Sequence, residues 1–166
     1  MTPDLRSSPY IEIDLPGQTL SLYRPGHAAP KVYVISSALN GPGEQQDSGC
    51  TPRGRHFIRA CIGGGQPVNA VFVGRRPTGE VYSDQLATQF PDRDWILTRI
   101  LWLCGREWGR NRGPGVDSFR RFIYIHGTPD SEPMGTPRSH GCVRMRNRDL
   151  VDLFDLVEPG TEVLIR

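Results

Sequence analysis

The sequence predicts a mainly β domain with a few helices. Three observations point there. Glycine (19 residues) and proline (15) are dense in a chain of 166, which implies many turns and short strands. Short β-branched or alternating segments recur along the chain. Only two segments carry apolar residues at helical spacing. At 18.6 kDa the chain has the size of one ordinary domain. Such a length buries roughly two-thirds of the unfolded surface, so no metal or disulfide staple is required. With neither repeat nor linker in view, residues 1–166 are expected to form a single domain.

The elements follow in order. Residues 10–13 (YIEI) alternate apolar and acidic side chains, Pro16-Gly17 marks a turn, and residues 19–23 (TLSLY) alternate again, so the chain should open with a β-hairpin. Residues 31–36 (KVYVIS) read as a third strand. A polar loop rich in Gly and Pro leads to short strands at 56–61 and 70–73, separated by Gly63-Gly64-Gly65. Residues 92–108 look helical: Asp92 or Asp94 can cap, Ile96, Leu97, Ile100, Leu101 and Cys104 recur at helical spacing, and Gly105 and Gly109 mark the end. Trp95, Trp102 and Trp108 then read as helix-packing aromatics. Residues 121–126 (RFIYIH) form a strand ended by Gly127. Asn147 caps a helix over 147–157 with Leu150, Val151, Phe154 and Val157 on one face, and residues 161–165 make a terminal strand.

Composition excludes several classes of function. Apolar residues at 37% and charged residues at 23% are globular proportions. A net charge of +2 and a pI near 8.4 are too weak to argue for nucleic acid as a partner. Lys31 is the sole lysine, so the positive charge is arginine, a residue suited to bidentate contact with carboxylates. Base-composition bias accounts for the same skew. Cys50, Cys61, Cys104 and Cys142 form no CxxC pair and fit no disulfide or zinc framework. Pro3, Asp4, Arg6, Ser7, Ser8 and Pro9 interrupt any secretory leader, and no run approaches the ~18 apolar residues of a membrane span. The expectation is a cytoplasmic protein, or a periplasmic one if the sequence is a trimmed piece.

The chemistry concentrates in SHGCVRM, residues 139–145. A thiol attacks only as thiolate, and its free pKa near 8.5 requires a neighbouring imidazole to take the proton. His126 ends a predicted strand; His140 and Cys142 lie on a loop ahead of a predicted helix. Gly141 permits a tight turn, and backbone N–H groups of Gly141 and Cys142 can form an oxyanion hole. Two other readings stand beside this one. Cys142 can be a buried structural thiol, or His126, His140 and Cys142 can ligate a metal, although His-x-Cys places two ligands unusually close and no fourth is evident.

The run IHGTPDSEPMGTPRSHGCVRM, residues 125–145, resembles the active-site signature of the YkuD-type L,D-transpeptidases. So do Asn147-Arg148-Asp149-Leu150, the closing GTEVLI, the TPRG at 51–54 with Phe57 and Ile58, and the opening hairpin with Leu20, Leu22 and Tyr23. The departures are the acidic, Gly-rich insert before Thr51 and the stretch 75–118, where Arg75, Arg76, Arg106, Arg110 and Arg112 can meet an anionic peptide or simply face water. The resemblance implies a sandwich of two mixed β-sheets, with the active site on the loop before a C-terminal helix. It implies cysteine acyl transfer on peptidoglycan stem peptides, with no cofactor, metal, nucleic acid or membrane as partner, and says nothing of oligomeric state. Carried over, Cys142 is the nucleophile and His126 the general base, its ring oriented by a backbone carbonyl such as that of Gly127. His140 lines the site and assists. Gly141 and Cys142 amides hold the oxyanion. Arg144 binds a substrate carboxylate or braces the loop, and Ser139 touches substrate or bonds within its turn. With no leader in view, the expected activity is a cytoplasmic L,D-carboxypeptidase that trims tetrapeptide stems to tripeptides in wall recycling. The rivals are an exported transpeptidase making 3-3 cross-links, a non-catalytic peptidoglycan-binding module and a metal-binding domain.

Overall fold

A computed structural model describes residues 7–166 of the chain; the part of the leader reading that rests on residues 1–6 lies outside them. The expected opening strands form where alternation marks a half-buried surface. In β1 (Tyr10–Asp14), Ile11 and Ile13 point inward while Tyr10 and Glu12 stay partly exposed. Strand β2 (Thr19–Tyr23) answers with Leu20 and Leu22, in the register Ile11↔Leu22 and Ile13↔Leu20. Strand β3 (Lys31–Ser36) pairs antiparallel on β2, and β10 (Glu162–Ile165) lies parallel to β1, setting Val163 and Ile165 beside Ile11 and Ile13. Each such fully buried aliphatic side chain stabilises the fold by about 2 kcal/mol.

Among the described residues, β4 (Gly54–Ile62), β5 (Ala70–Val73), β6 (Arg76–Val81), β7 (Ile96–Gly105), β8 (Tyr124–Gly127) and β9 (Val143–Met145) complete a 10-stranded mixed sheet. Its order is β4-β10-β1-β2-β3-β9-β8-β7-β5-β6, and β4 also pairs with β7. The two walls of the expected sandwich are therefore one sheet, closed on itself through β4–β7 into a barrel-like body, with the β5–β6 hairpin as a flap beyond the closure. Helix α1 (Asp84–Gln89) follows that flap, capped by the Ser83 hydroxyl on the Leu86 amide. Helix α2 (Asn147–Leu156) plugs the body with Leu150 and Leu153.

One expected helix is a strand. Residues 96–105 form β7, buried on both faces between β8 on one side and β4 and β5 on the other. A strand covered on both faces shows a continuous apolar run and no alternation, which periodicity does not separate from a buried helix. The tryptophans correspondingly pack on no helix. Trp102 stacks on Phe119 with centroids 4.0 Å apart, Trp95 meets the edge of Tyr82 at 5.1 Å, and Trp108 is 77% exposed. The predicted strand at 121–126 is also shorter: residues 121–122 belong to a turn, with Phe122 at φ +58°, and the strand begins only at Tyr124.

Strand β7 carries the irregularity that serves the site. Between the pairs Leu97↔Gly127 and Ile100↔His126 it holds a bulge at Thr98 and Arg99. Thr98 sits at φ +75°, rare for a β-branched residue. Its hydroxyl accepts from the Asn69 amide at 3.0 Å and donates to Asn147 Oδ1 at 2.6 Å. Asn147 is not the expected helix cap. It is the first helical residue, its buried side chain turned inward, with Nδ2 donating to the Thr128 carbonyl at 2.9 Å and to Asn69 Oδ1 at 3.0 Å. Thr98, Asn69 and Thr128 are thus tied together directly behind His126 and Gly127. Asn147→Ala leaves a buried hydroxyl and a buried carbonyl without these partners, and is expected to cost about 3 kcal/mol in urea unfolding. A cost below about 1 kcal/mol would show that the network does not hold the bulge.

Candidate active site

The SHGC loop is clamped from both sides. On one side the Ser139 amide donates to the Ser37 carbonyl (2.9 Å) and the Leu39 amide to the Ser139 carbonyl (3.0 Å). On the other, the fully buried Thr51 donates its hydroxyl to the Gly141 carbonyl at 2.9 Å and accepts from the Ala38 amide at 3.0 Å. Gly141 has φ +134°, a conformation side chains rarely adopt, and a Cβ there would lie 3.3 Å from the Cys50 carbonyl oxygen. Within the loop, Ser139 Oγ donates to the Cys142 carbonyl at 2.5 Å and accepts from the Gly141 amide at 3.3 Å. Ser139 is thus buried with its hydroxyl turned onto its own loop.

Cys142 leads into strand β9 rather than into a helix. That three-residue strand lies between β3 and β8, with Arg144 paired to Ser36 on one side and His126 on the other. The sequence predicts a helix entrance beside the thiol; the strand intervenes, so helix α2 offers the sulfur no N-terminus. The sulfur is held instead by the turn before β8. The Tyr124 amide donates to Sγ and the thiol donates to the Phe122 carbonyl, both at 3.3 Å. Burial pushes the Cys142 thiol up to about 11, although the Tyr124 N–H, Arg144 and Arg121 favour the thiolate.

His126 is buried, and its Nδ1 lies 2.7 Å from the Gly127 carbonyl. A carbonyl only accepts, so Nδ1 carries the proton and Nε2 keeps its lone pair. Burial holds the imidazole below its ordinary pKa, with Arg144 acting in the same direction and Asp94 and the Gly127 carbonyl opposing. Gly127 serves by its carbonyl and its lack of side chain: a Cβ there would fall 2.2 Å from Asn147 Oδ1.

His126, His140, Cys142, Ser139 and Arg144 all line one cavity of about 310 Å³. Two of them meet on Asp94, expected from the sequence only as a possible helix cap. Asp94 accepts from Arg144 Nη2 at 3.1 Å and lies 3.4 Å from His140 Nδ1. Arg144, nine-tenths buried, also faces Glu132 at 3.7 Å. Asp94, His140 and Arg144 also line a second hollow of about 340 Å³, beside Trp95, Glu132 and Arg138, so they form a wall common to both. The expected substrate-binding groups, Arg144 and Ser139, are both engaged inside the protein. Of the five arginines singled out between 75 and 112, Arg75 alone lines the thiol cavity; Arg106 pairs with Glu162 and Arg110 with Glu107. The partners that give Asp94, Thr51 and Asn147 these roles lie far along the chain.

Among the described residues, no group of three or more His, Cys, Asp or Glu side chains is disposed to hold a metal ion. No cysteine is paired. A second histidine pair, His56 Nε2 with Ser118 Oγ at 2.8 Å, is completely buried and takes no part in the cavity. The cavity is shared by a thiol and an imidazole with a free nitrogen, and the adjoining loop holds the Gly141 amide, bonded to Ser139 Oγ at 3.3 Å. That is the equipment of acyl transfer.

The family profile YkuD, described as the L,D-transpeptidase catalytic domain, matches residues 8–165. The "Putative L,D-transpeptidase YqjB" of Bacillus subtilis is 41% identical over 61 residues, 37% of this chain and 34% of that protein, so the match spans about a third of that relative. A crystal structure of an L,D-transpeptidase (residues 123–326) from Xylanimonas cellulosilytica superposes with TM-score 0.56 at 23% identity, covering 99% of this chain and 63% of that one. L,D-transpeptidase 3 from Mycobacterium tuberculosis, in complex with a faropenem-derived adduct, gives TM-score 0.57 at 14% identity, over 96% and 60% of the two chains. At these identities the two structures speak for the fold.

Proposed function

The chain belongs to the YkuD family of L,D-transpeptidase catalytic domains, and from that premise we propose that it carries out cysteine acyl transfer on peptidoglycan stem peptides, as an L,D-carboxypeptidase that trims tetrapeptides to tripeptides. The observation that carries the reading is the shared cavity of the Cys142 thiol and His126, with the His126 ring fixed by the Gly127 carbonyl. In the first step His126 Nε2 takes the thiol proton as Sγ attacks the carbonyl between the L-centre of the third stem residue and the terminal D-Ala. The C–N bond breaks, the leaving amine takes the proton from His126, and a thioester remains on Cys142. Water then attacks the thioester, giving its proton to His126; the tripeptide leaves and the sulfur recovers the proton. The Gly141 and Cys142 amides bear the oxyanion in both steps. Incubation with a defined tetrapeptide tests the reading. D-Ala and tripeptide in equal amounts are expected, and cross-linked dimer without tripeptide would overturn it.

Water is favoured as acceptor by the wall between the two hollows. In this reading Asp94, bonded to Arg144 and beside His140, stands as a barrier between the thiol cavity and the second hollow. The same hollow motivates the second reading: with the wall open, it is where an acceptor stem would sit for transpeptidation. Asp94→Ala is therefore expected to raise the ratio of cross-linked product to tripeptide roughly fivefold in the presence of acceptor stem, about 1 kcal/mol, the scale of a partly exposed ion pair. An unchanged ratio would remove Asp94 as the barrier. The proposed setting is the recycling of stems in the cytoplasm. Cell fractionation locates the protein, and a protein found outside the cytoplasmic membrane would favour cross-linking.

A further inference from the structure

One charged group on the rim of the thiol cavity has no acidic partner. The β5–β6 hairpin turns on Gly74 and Arg75, at φ +55° and +65°, between the paired Val73 and Arg76. Two left-handed residues in succession make the tight turn that suits a twisted hairpin. Arginine is seldom found at the second of them. This one is held by aromatic rings: its Cζ lies 4.7 Å from the centroid of Trp102 and 4.9 Å from that of Phe122, and Nη1 donates to the Tyr124 hydroxyl at 3.1 Å. No ion pair to Arg75 is present among the described residues, and the residue lines the cavity. Arg144, the other arginine there, is neutralised by Asp94 and Glu132.

The Tyr124 amide touches the Cys142 sulfur and the Tyr124 hydroxyl touches Arg75. Tyr124 thus bridges nucleophile and guanidinium, and all three line the same cavity. Consecutive residues of a peptide are about 3.8 Å apart at Cα. With a scissile carbonyl at the sulfur, the carboxylate of the next residue lies in the same cavity that Arg75 lines. We propose that Arg75 is a specificity-determining residue that binds the terminal carboxylate of the donor peptide, restricting the enzyme to peptides that end one residue beyond the bond broken. The ring stacking fixes the guanidinium plane before the peptide arrives, leaving its free N–H edge for a carboxylate. The inference rests on the tetrapeptide reading above and adds the group that recognises the end of the chain.

The test uses Cys142→Ala protein, which binds without turnover, and a tetrapeptide prepared with a terminal carboxylate or a terminal carboxamide. Calorimetric titration is expected to show the acid bound about tenfold more tightly than the amide, the strength of a charge-assisted contact. Adding Arg75→Gly, which suits the left-handed turn and so preserves the hairpin, should erase that preference; Arg75→Lys should restore part of it. Equal binding of acid and amide, binding of neither, or a preference that survives Arg75→Gly overturns the proposal. The readout does not depend on catalysis. If the preference is present and vanishes with Arg75 while the unaltered protein releases no D-Ala, the carboxylate site stands and the hydrolase reading falls. If the protein cleaves the tetrapeptide and Arg75→Gly leaves kcat/KM unchanged, the reverse holds.

Discussion

Cys142→Ala is expected to reduce D-Ala release by about 10³-fold or more, the scale of losing a nucleophile that acts in concert with its base. The fold should scarcely notice. Cys142 packs at the margin of a small cluster around Phe72, Ile100 and Tyr124, and its sulfur makes only two hydrogen bonds, both at 3.3 Å. A thermal midpoint within a few degrees of the unaltered protein is therefore predicted. Cys142→Ser should be equally inactive, since a hydroxyl at the same place ionises far less readily than a thiol. Release at an undiminished rate in either variant would show that another group attacks the carbonyl.

The second large effect belongs to His126. With burial pushing the Cys142 thiol up to about 11, the protonated thiol prevails at neutral pH. A base must therefore take the proton during attack rather than beforehand. His126→Gln is expected to lower kcat/KM by about 10²- to 10⁴-fold at pH 7. The pH profile separates this role from a structural one. His126 is held below its ordinary value of 6.5 by burial, so the unaltered enzyme should lose activity on an acid limb whose midpoint lies below 6.5, and should show no fall on the alkaline side up to the thiol's own range. In His126→Gln that limb should disappear, and the residual rate should climb with pH as thiolate accumulates. The same depression has a consequence for stability. A histidine whose pKa is lower folded than unfolded favours the neutral form in the native state. Its contribution is complete above about 6.5 and is lost as pH falls toward the folded value, so thermal stability should decline with acidification through that window. An acid limb that persists in His126→Gln would assign it to another group.

How far these features were legible follows from burial. Strands β1, β2, β3 and β10 lie with one face inward, so alternation or β-branching announces them in the sequence. Strand β7 is covered on both faces, which erases the alternation and leaves a pattern shared with a buried helix. Strand β9 is too short to show any period, and β6, with Pro77, Gly79 and mostly exposed side chains, offers little apolar pattern. Helix α1 buries no residue at all. The site divides in the same way. Ser139 to Cys142 and His126 are adjacent to recognisable local features, and the resemblance to a family fixed attention on them. Asp94 reaches Arg144 across 50 positions, Thr51 reaches Gly141 across 90, and Asn147 reaches Thr98 across 49. Such residues gain their roles only when the closed sheet brings distant segments together. Arg75 is a related case: its charge was visible, but the aromatic rings that hold it come from β7 and from the turn before β8 and the strand that follows.

The central claim is that Cys142 carries the peptide as a thioester. Rapid acid quench of the protein with a tetrapeptide, followed by intact-mass measurement and mapping of the modified segment, tests it directly. The predicted result is an adduct equal in mass to the tetrapeptide less its terminal D-alanine, located on Cys142 and decaying as tripeptide appears. D-Ala released with no adduct on Cys142 at any quench time, and released as fast by Cys142→Ala, would contradict it.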